Sequence, residues 1–346
     1  MRHSVIPPYL LQAIADGGEQ RYPRAASAAR TALASLDAVA SAKHVGGLHR
    51  ATATPAASSS PQRSIFDAAH GTTLPGTVVR REGTPVSGDP AVDEAYTGLG
   101  DTHAFYLDVF GRASIDGAGL PLVASVHYGQ DYDNAYWNGS QMVFGDGDGQ
   151  VFNRFTIAVD VIGHELTHGV TQYTANLTYA GQSGALNESV SDVFGSLVAQ
   201  YASGQTTDQA SWLIGEGLFT AEVQGVALRS MRAPGTAYDD DVLGKDPQPG
   251  TMAGYVDTQD DDGGVHTNSG IPNHAFFLAA TAIGGKAWEG AGAVWWDTLT
   301  SPEVTAAIDF AGFARVTVTA AGSRFGDGSR EQSAVEDAWR TVGVLP

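Results

Sequence analysis

Short β-branched runs mark the first half of this 346-residue chain, and helical spacing takes over in the second. Thr77-Val78-Val79-Arg80 and Leu122 to Tyr128 alternate or are β-branched, which predicts strands in a β-rich stretch over 66–158. Met142-Val143-Phe144 and Gln150-Val151-Phe152 flank Gly-Asp-Gly-Asp-Gly and read as a hairpin. Asp146 and Asp148 then belong to a plain turn, because the loop lacks the spacing and closing glutamate of an EF-hand. From Phe155 to Gly163 the chain is apolar and free of proline, which predicts a buried helix. Helices are predicted over 187–203, 271–284, 304–322 and 329–342, with Trp288, Trp295 and Trp296 in their core. Residues 24–43, alanine-rich with leucines, read as a further helix, and residues 51–61 as a low-complexity linker. Acidic stretches at 88–98 (Asp89, Asp93, Glu94) and at Asp239-Asp240-Asp241 read as solvated surface.

Composition narrows the chemistry. The length allows two or three domains. There is no cysteine, so disulfides and thiolate metal sites are excluded, and histidine and carboxylate remain as ligands. A net charge of −19 excludes nucleic acid and anionic membranes as partners, and no apolar run reaches transmembrane length. The charge is uneven: residues 1–65 hold seven Lys/Arg against three Asp/Glu, a net of +4, leaving −23 on the rest. Either the start is a disordered tail, or it is a basic prosegment docked on an acidic catalytic part and cut in the linker. The apolar run Tyr9 to Ala15 is short and broken by Gln12, so no signal peptide is evident.

The helix predicted near the middle contains His164-Glu165-Leu166-Thr167-His168. Residues four apart on a helix share a face, so both imidazoles can reach one zinc ion. Glu165 beside them is placed to act on a zinc-bound water. A catalytic zinc needs a third protein ligand and one open position. Glu188, 20 residues after His168, offers a carboxylate on the next helical run. Asp192, four residues on, shares its face and can fix the tautomer of a ligand histidine from behind.

At this point the chain resembles the thermolysin-like neutral zinc metalloproteases, the gluzincins whose third ligand is glutamate. The resemblance rests on Asn134 to Gly139, Met142 to Gly149, His164 to His168, Gly184 to Asp192 and Gly263 to Gly270, in that order. The opening Ser4-Val5-Ile6-Pro7-Pro8-Tyr9-Leu10-Leu11 resembles the short propeptide of protealysin-type precursors. The resemblance implies an α+β, two-domain fold. Its expected parts are a propeptide over 1–50, a linker over 51–65, a β-rich N-terminal lobe with the zinc helix over 66–175, and a helical C-terminal lobe over 176–346. It also implies an endopeptidase with one catalytic Zn2+ on His164, His168 and Glu188, supported by Asp192 and Asn187. Glu165 would be the general base. His266 and Tyr179 would face the oxyanion, with Asp261 orienting His266; the neighbouring Asp260 and Asp262 leave that assignment open by one residue. Asn134 and the backbone of Ala135 would bind an extended peptide, and Arg229 a substrate carbonyl. Phe152, Phe155, Val161, Ile214 and Leu228 would line a pocket for Leu, Phe, Ile or Val on the carboxyl side of the cut, unless they are ordinary core. Asp160 and Glu216 match carboxylates of the family's paired-calcium site, whereas Ala199, Ser211 and Leu213 stand where others would be acidic, so one weakly held Ca2+ or none is expected.

The expected partners are protein and peptide substrates and the propeptide in cis, with a protein inhibitor left open, and the expected state is a monomer. The family implies secretion, which the opening residues do not support, so a cytoplasmic precursor or non-classical export stands beside it. Two other readings are a zinc aminopeptidase, whose Gly-x-Met-Glu-Asn motif is missing here, and a silent, propeptide-bound binding protein. If residues 1–50 assist folding, a gene lacking them yields little active enzyme. A normal yield of casein-hydrolysing activity from that truncation would reject the assistance.

Overall fold

The computed structural model describes residues 3–42 and 60–346, so residues 51–59 of the predicted linker lie outside the described residues. The chain divides into two units. The first runs to Gly169 and takes back 217–223 and 241–243; the second is the remainder.

The first unit opens with β1 (His3–Ser4), α1 (Pro8–Gly17) and α2 (Pro23–Ala42). β2 (Arg63–Asp67) begins inside the stretch expected to be linker, and β3 (Thr77–Arg81), α3 (Pro90–Phe110), β4 (Leu122–Val126), β5 (Ala135–Trp137) and β6 (Met142–Phe144) follow. Among the described residues they build a six-stranded sheet in the order β1-β5-β6-β4-β2-β3. β6 runs parallel to β4 on one side and antiparallel to β5 on the other. Both of its edges are therefore taken, and the expected hairpin with Gln150–Phe152 does not form. Instead the Asp148 carboxylate accepts the amides of Gln150, Val151 and Phe152 and closes a loop, while Phe152 bridges to Phe219. Asp146 is not idle in a turn either: both its oxygens lie 2.9 Å from His127 Nδ1.

α3 is a 21-residue helix within the stretch expected to be β-rich. Asp89 caps its first amides, Pro90 pre-sets its first turn, and Gly111 ends it at φ 66°. The acids around it are engaged, not simply solvated. Asp93 pairs with Arg80 at 2.7 Å, and Glu94 pairs with Arg154 and accepts from Thr156 at 2.7 Å. Val92, Ala95, Leu99 and Tyr106 bury one stripe of α3. That face meets α4 (Val159–Gln172), the helix carrying the two histidines. A Cβ on Gly98 would stand 2.4 Å from Ile162 Cδ1, and Tyr106 Oη bonds Thr167 Oγ1 at 2.7 Å. α3 thereby fixes the depth and rotation of α4.

The second unit holds α5 (Gly181–Ser203), β7 (Leu213–Ile214), β8 (Arg229–Ser230), β9 (Asp239–Asp240) and β10 (Gly244–Lys245). Helices α6 (Asp261–Asn268), α7 (Gly270–Ile283), α8 (Ala291–Leu299), α9 (Phe310–Phe325) and α10 (Arg330–Thr341) complete it. Trp295 stacks on Trp339 at 5.9 Å and meets Phe276 edge-on, and Trp288 and Trp296 meet Tyr201 and Phe194, so the tryptophans serve the core. α9 starts at Phe310, six residues later than expected, because Asp309 caps Gly312 N at 2.7 Å. Asp240 is buried and accepts Gln224 N, so the run 239–241 is not all surface.

His127 bridges Asp146 and Asp89, the latter at 3.0 Å from Nε2. Partial burial opposes a charged His127, but the Asp146 and Asp89 carboxylates outweigh it and raise its pKa above the usual 6.5. Burial likewise opposes a charged Asp89, but His127 and the amides of α3 outweigh it and hold its pKa below the usual 3.8. The His127 contribution is complete below pH 6.5 and fades as pH rises through its folded value. The Asp89 contribution is complete above pH 3.8 and fades as pH falls through its folded value. His127→Gln therefore lowers the melting temperature more at about pH 5.5 than at about pH 9. Equal losses at both pH values would show that the charge contributes nothing.

Candidate active site

α4 begins at Val159 rather than Phe155. Residues Phe155–Ile157 form a separate 3-10 turn, and Ala158 is extended at φ −100° and ψ 103°. Within α4 the pitch does what the sequence requires: His164 and His168 lie on one face with their Nε2 atoms 3.1 Å apart and their rings 87° to one another. Both are buried. Glu165, also buried, is oriented from the sheet, because Trp137 N donates to its Oε2 at 2.8 Å. Trp137 sits in β5, which approaches closely because position 169 is glycine. A Cβ there would stand 2.6 Å from Ile115 Cγ2 and 3.3 Å from Trp137 Cε2.

The free side of β5 carries the start of the chain. β1 pairs with it antiparallel, His3 opposite Trp137 and Ser4 opposite Tyr136, and Val5 N donates to Ala135 O at 3.2 Å. Asn134 grips the same segment from its side chain: Oδ1 accepts Ile6 N at 3.2 Å and Nδ2 donates to Ser4 Oγ at 2.5 Å. Further along, Tyr22 Oη donates to Glu222 O, Arg24 Nη2 donates to Asp148 O, and the Gln150 side chain accepts the amides of Arg24 and Ala25. Leu10, Leu11 and Ile14 of α1 and Ala25, Ala29 and Ala32 of α2 are buried. Phe152, Phe155 and Val161 are buried too, with Phe152 packed between Phe155 and Phe219. Asp160 Oδ1 accepts Val161 N.

In the second unit Glu188 and Asp192 lie on the interior of α5, both buried. Tyr179 Oη donates to Glu188 Oε1 and lies 3.3 Å from His266 Nε2. The threefold aspartate is resolved: Asp261 Oδ1 lies 2.6 Å from His266 Nδ1 and Asp261 Oδ2 accepts His266 N at 2.9 Å. A left-handed run makes this reach-back geometry, with φ of 54°, 51°, 90° and 72° at Asp261, Asp262, Gly263 and Gly264. Burial alone would push His266 down, but the Asp261 and Glu188 carboxylates more than offset it and raise its pKa to about 9. Arg229 forms a two-pronged pair with Asp192, Nε and Nη2 each 2.8 Å from a carboxylate oxygen, and Asn273 donates to the same carboxylate. Asn187 Nδ2 donates to Leu177 O. Ile214 and Leu228 are buried where Leu228 N meets Ile214 O, and Glu216 is exposed.

Among the described residues His164, His168 and Glu188 form one group of potential metal ligands, with donor atoms all within 4.8 Å of one another. The set fits zinc. Neighbouring corners of a tetrahedron with metal–nitrogen bonds of about 2.0–2.1 Å stand roughly 3.4 Å apart, close to the observed nitrogen spacing. Two neutral donors and one anion leave room for a fourth ligand. Asp160 and Glu216 join no comparable group among the described residues.

Comparison with known proteins agrees. The family model "Thermolysin metallopeptidase, catalytic domain" matches residues 50–172, and "Thermolysin metallopeptidase, alpha-helical domain" matches residues 175–344. An extracellular metalloprotease of Pectobacterium carotovorum subsp. carotovorum is 53% identical over 99% of this chain and 96% of its own length. A protease of a Photorhabdus species is 54% identical over 82% of this chain and 76% of its own. The precursor of protealysin, a metalloproteinase from Serratia proteamaculans, superposes with a TM-score of 0.88 at 52% identity, covering 99% of this chain and all of that one. The chain belongs to the thermolysin metallopeptidase family. It is a zinc metalloendopeptidase with the two-domain thermolysin-like fold, which leaves the aminopeptidase reading without support.

The Trp137 amide on Glu165 was not foreseen, although Trp137 stands in the phrase Asn134 to Gly139. A backbone donor leaves no mark in a side-chain pattern. The Asp192–Arg229 pair yields a prediction of its own. Asp192→Ala strands a guanidinium that is 1% exposed, which costs about 3–5 kcal/mol in urea unfolding. A loss below about 1 kcal/mol would show that Arg229 finds other acceptors.

Proposed function

We propose that the protein hydrolyses peptide bonds on the amino side of Leu, Phe, Ile or Val, and that it is made as a precursor restrained by residues 1–50. The observation that carries the catalytic reading is the buried convergence of His164, His168 and Glu188, which would hold the zinc. When bound, the metal supplies Lewis-acid polarisation of a water and of the scissile carbonyl. Glu165 is the general base: its carboxylate takes the water proton and later hands it to the leaving amine. The Trp137 amide supports that role by fixing one oxygen. His266 donates from Nε2 to the developing oxyanion, held charged by Asp261 at Nδ1, and Tyr179 Oη adds a second donor when its proton turns from Glu188 Oε1 to the oxyanion. By the family resemblance, Asn187 and Asp192 would support the ligands, and Asp192 is itself held by Arg229 and Asn273. Phe152, Phe155, Val161, Ile214 and Leu228 are, by the same resemblance, the residues proposed to line the apolar pocket.

Substrate binding follows from β5. Asn134 and the backbone of Ala135 take an extended peptide as an added strand, and Arg229, aligned by Asp192, receives a substrate carbonyl. The prosegment makes those same contacts through Ser4, Val5 and Ile6, which supports reading it as an occupant of the substrate edge. Domain limits of 1–50, 51–65, 66–175 and 176–346 are proposed from the family resemblance, with Arg63–Ile65 of the linker drawn into β2 and maturation by a cut before them. Secretion is proposed because the Pectobacterium relative is named extracellular.

Glu165→Gln should lower kcat/KM on casein by about 10²–10⁴ while zinc content stays at the wild-type level. The same variant should keep its full precursor mass on storage. Wild-type turnover in Glu165→Gln would remove the proposed base.

A further inference from the structure

His266 is held at its ring and at its amide by Asp261, but its carbonyl is held by a residue that nothing in the catalytic scheme calls on. Gln248 Nε2 donates to His266 O at 2.7 Å and approaches Ser269 Oγ at 3.1 Å. Ser269 Oγ donates to the same carbonyl at 2.9 Å. A carbonyl only accepts, so this contact fixes which end of the Gln248 amide faces it. Gln248 is buried, and its Oε1 makes no hydrogen bond among the described residues, so the side chain acts here as a donor.

The donor is itself anchored. Gln248 N donates to Asp246 Oδ1 at 3.0 Å, and Asp246 Oδ2 accepts the amides of Gly235 and Ala237. Asp246 is 3% exposed, and three amides turn toward its carboxylate. Packing is equally tight: a Cβ on Gly270 would stand 2.7 Å from Pro249 O and 3.0 Å from Gln248 Cβ. The segment 235–249 therefore grips the turn after His266, while Asp261 grips the turn before it. A side chain whose backbone is pinned on both sides has little freedom to swing.

We propose that Gln248, seconded by Ser269, is a positioning residue that fixes the His266 backbone so that its imidazole meets the oxyanion. This rests on the proposed role of His266. Gln248→Met keeps the volume and removes the donor. On a peptide substrate it should lower kcat between about tenfold and a hundredfold and leave KM within about twofold, the mark of an interaction used in the transition state. The deciding test is a double-mutant cycle with His266→Ala. Against that background Gln248→Met should change kcat less than about twofold, since there is no imidazole left to position. The same loss in both backgrounds, or an unchanged kcat in the single variant, overturns the proposal. A wild-type kcat in His266→Ala would instead sink the reading of His266, a separate and recognisable failure that takes this proposal with it. Should Gln248→Met show no cooperative melting, Ser269→Ala takes its place in the cycle and is judged by the same outcomes.

Discussion

Ionisable groups around the site tolerate burial because partners face them. Removing a carboxylate or guanidinium from water costs several kcal/mol, and only a close partner offsets it. Asp192 has Arg229 and Asn273, His266 has Asp261, Glu188 has Tyr179, and Glu165 has the Trp137 amide. These pairings also hold each group in one orientation. A site that depends on charge at defined atoms is thereby built before any substrate arrives, and the reorganisation that water would need is avoided.

The same logic reaches the start of the chain. An extended segment is satisfied when a strand edge supplies its backbone partners, and β5 supplies them to residues 3–5. In the proposed scheme a substrate asks for those contacts in turn. A tethered competitor acts at an effective concentration in the millimolar range, so modest contacts suffice for restraint as long as the chain is whole. Severing the connection leaves the same contacts and removes the tether, which is why a single cut could switch the balance.

Local periodicity made α4, α7 and α10 legible, and the four-residue spacing of His164 and His168 made the metal pair legible with them. The histidine, glutamate and aspartate positions around it were readable through the family resemblance rather than through spacing alone. What stayed hidden depended on tertiary partners. Gly-Asp-Gly-Asp-Gly looks like a hairpin turn until both edges of β6 are seen to be occupied. α3 carried its own cap, proline and terminal glycine, yet its acids drew attention as surface, because their partners Arg80 and Arg154 lie outside the helix. Asp261 could not be told from its two neighbours until the left-handed run turned it back onto His266. Gln248 has no signature at all: its importance lies in one carbonyl, 18 residues away, that it happens to face.

The shortness of β5 has a consequence for an enzyme matured as proposed. A sheet margin left bare is a template on which foreign chains can stack, and self-propagating stacks draw on segments of six or seven residues. β5 offers three, closed off by the Asn138 turn, where Asn138 Oδ1 accepts the amides of Ser140 and Gln141. A ledge of that length can receive one peptide at a time, yet is too brief to seed a fibril. In the proposed scheme, a strand bared by maturation would therefore not invite the enzyme's own precipitation.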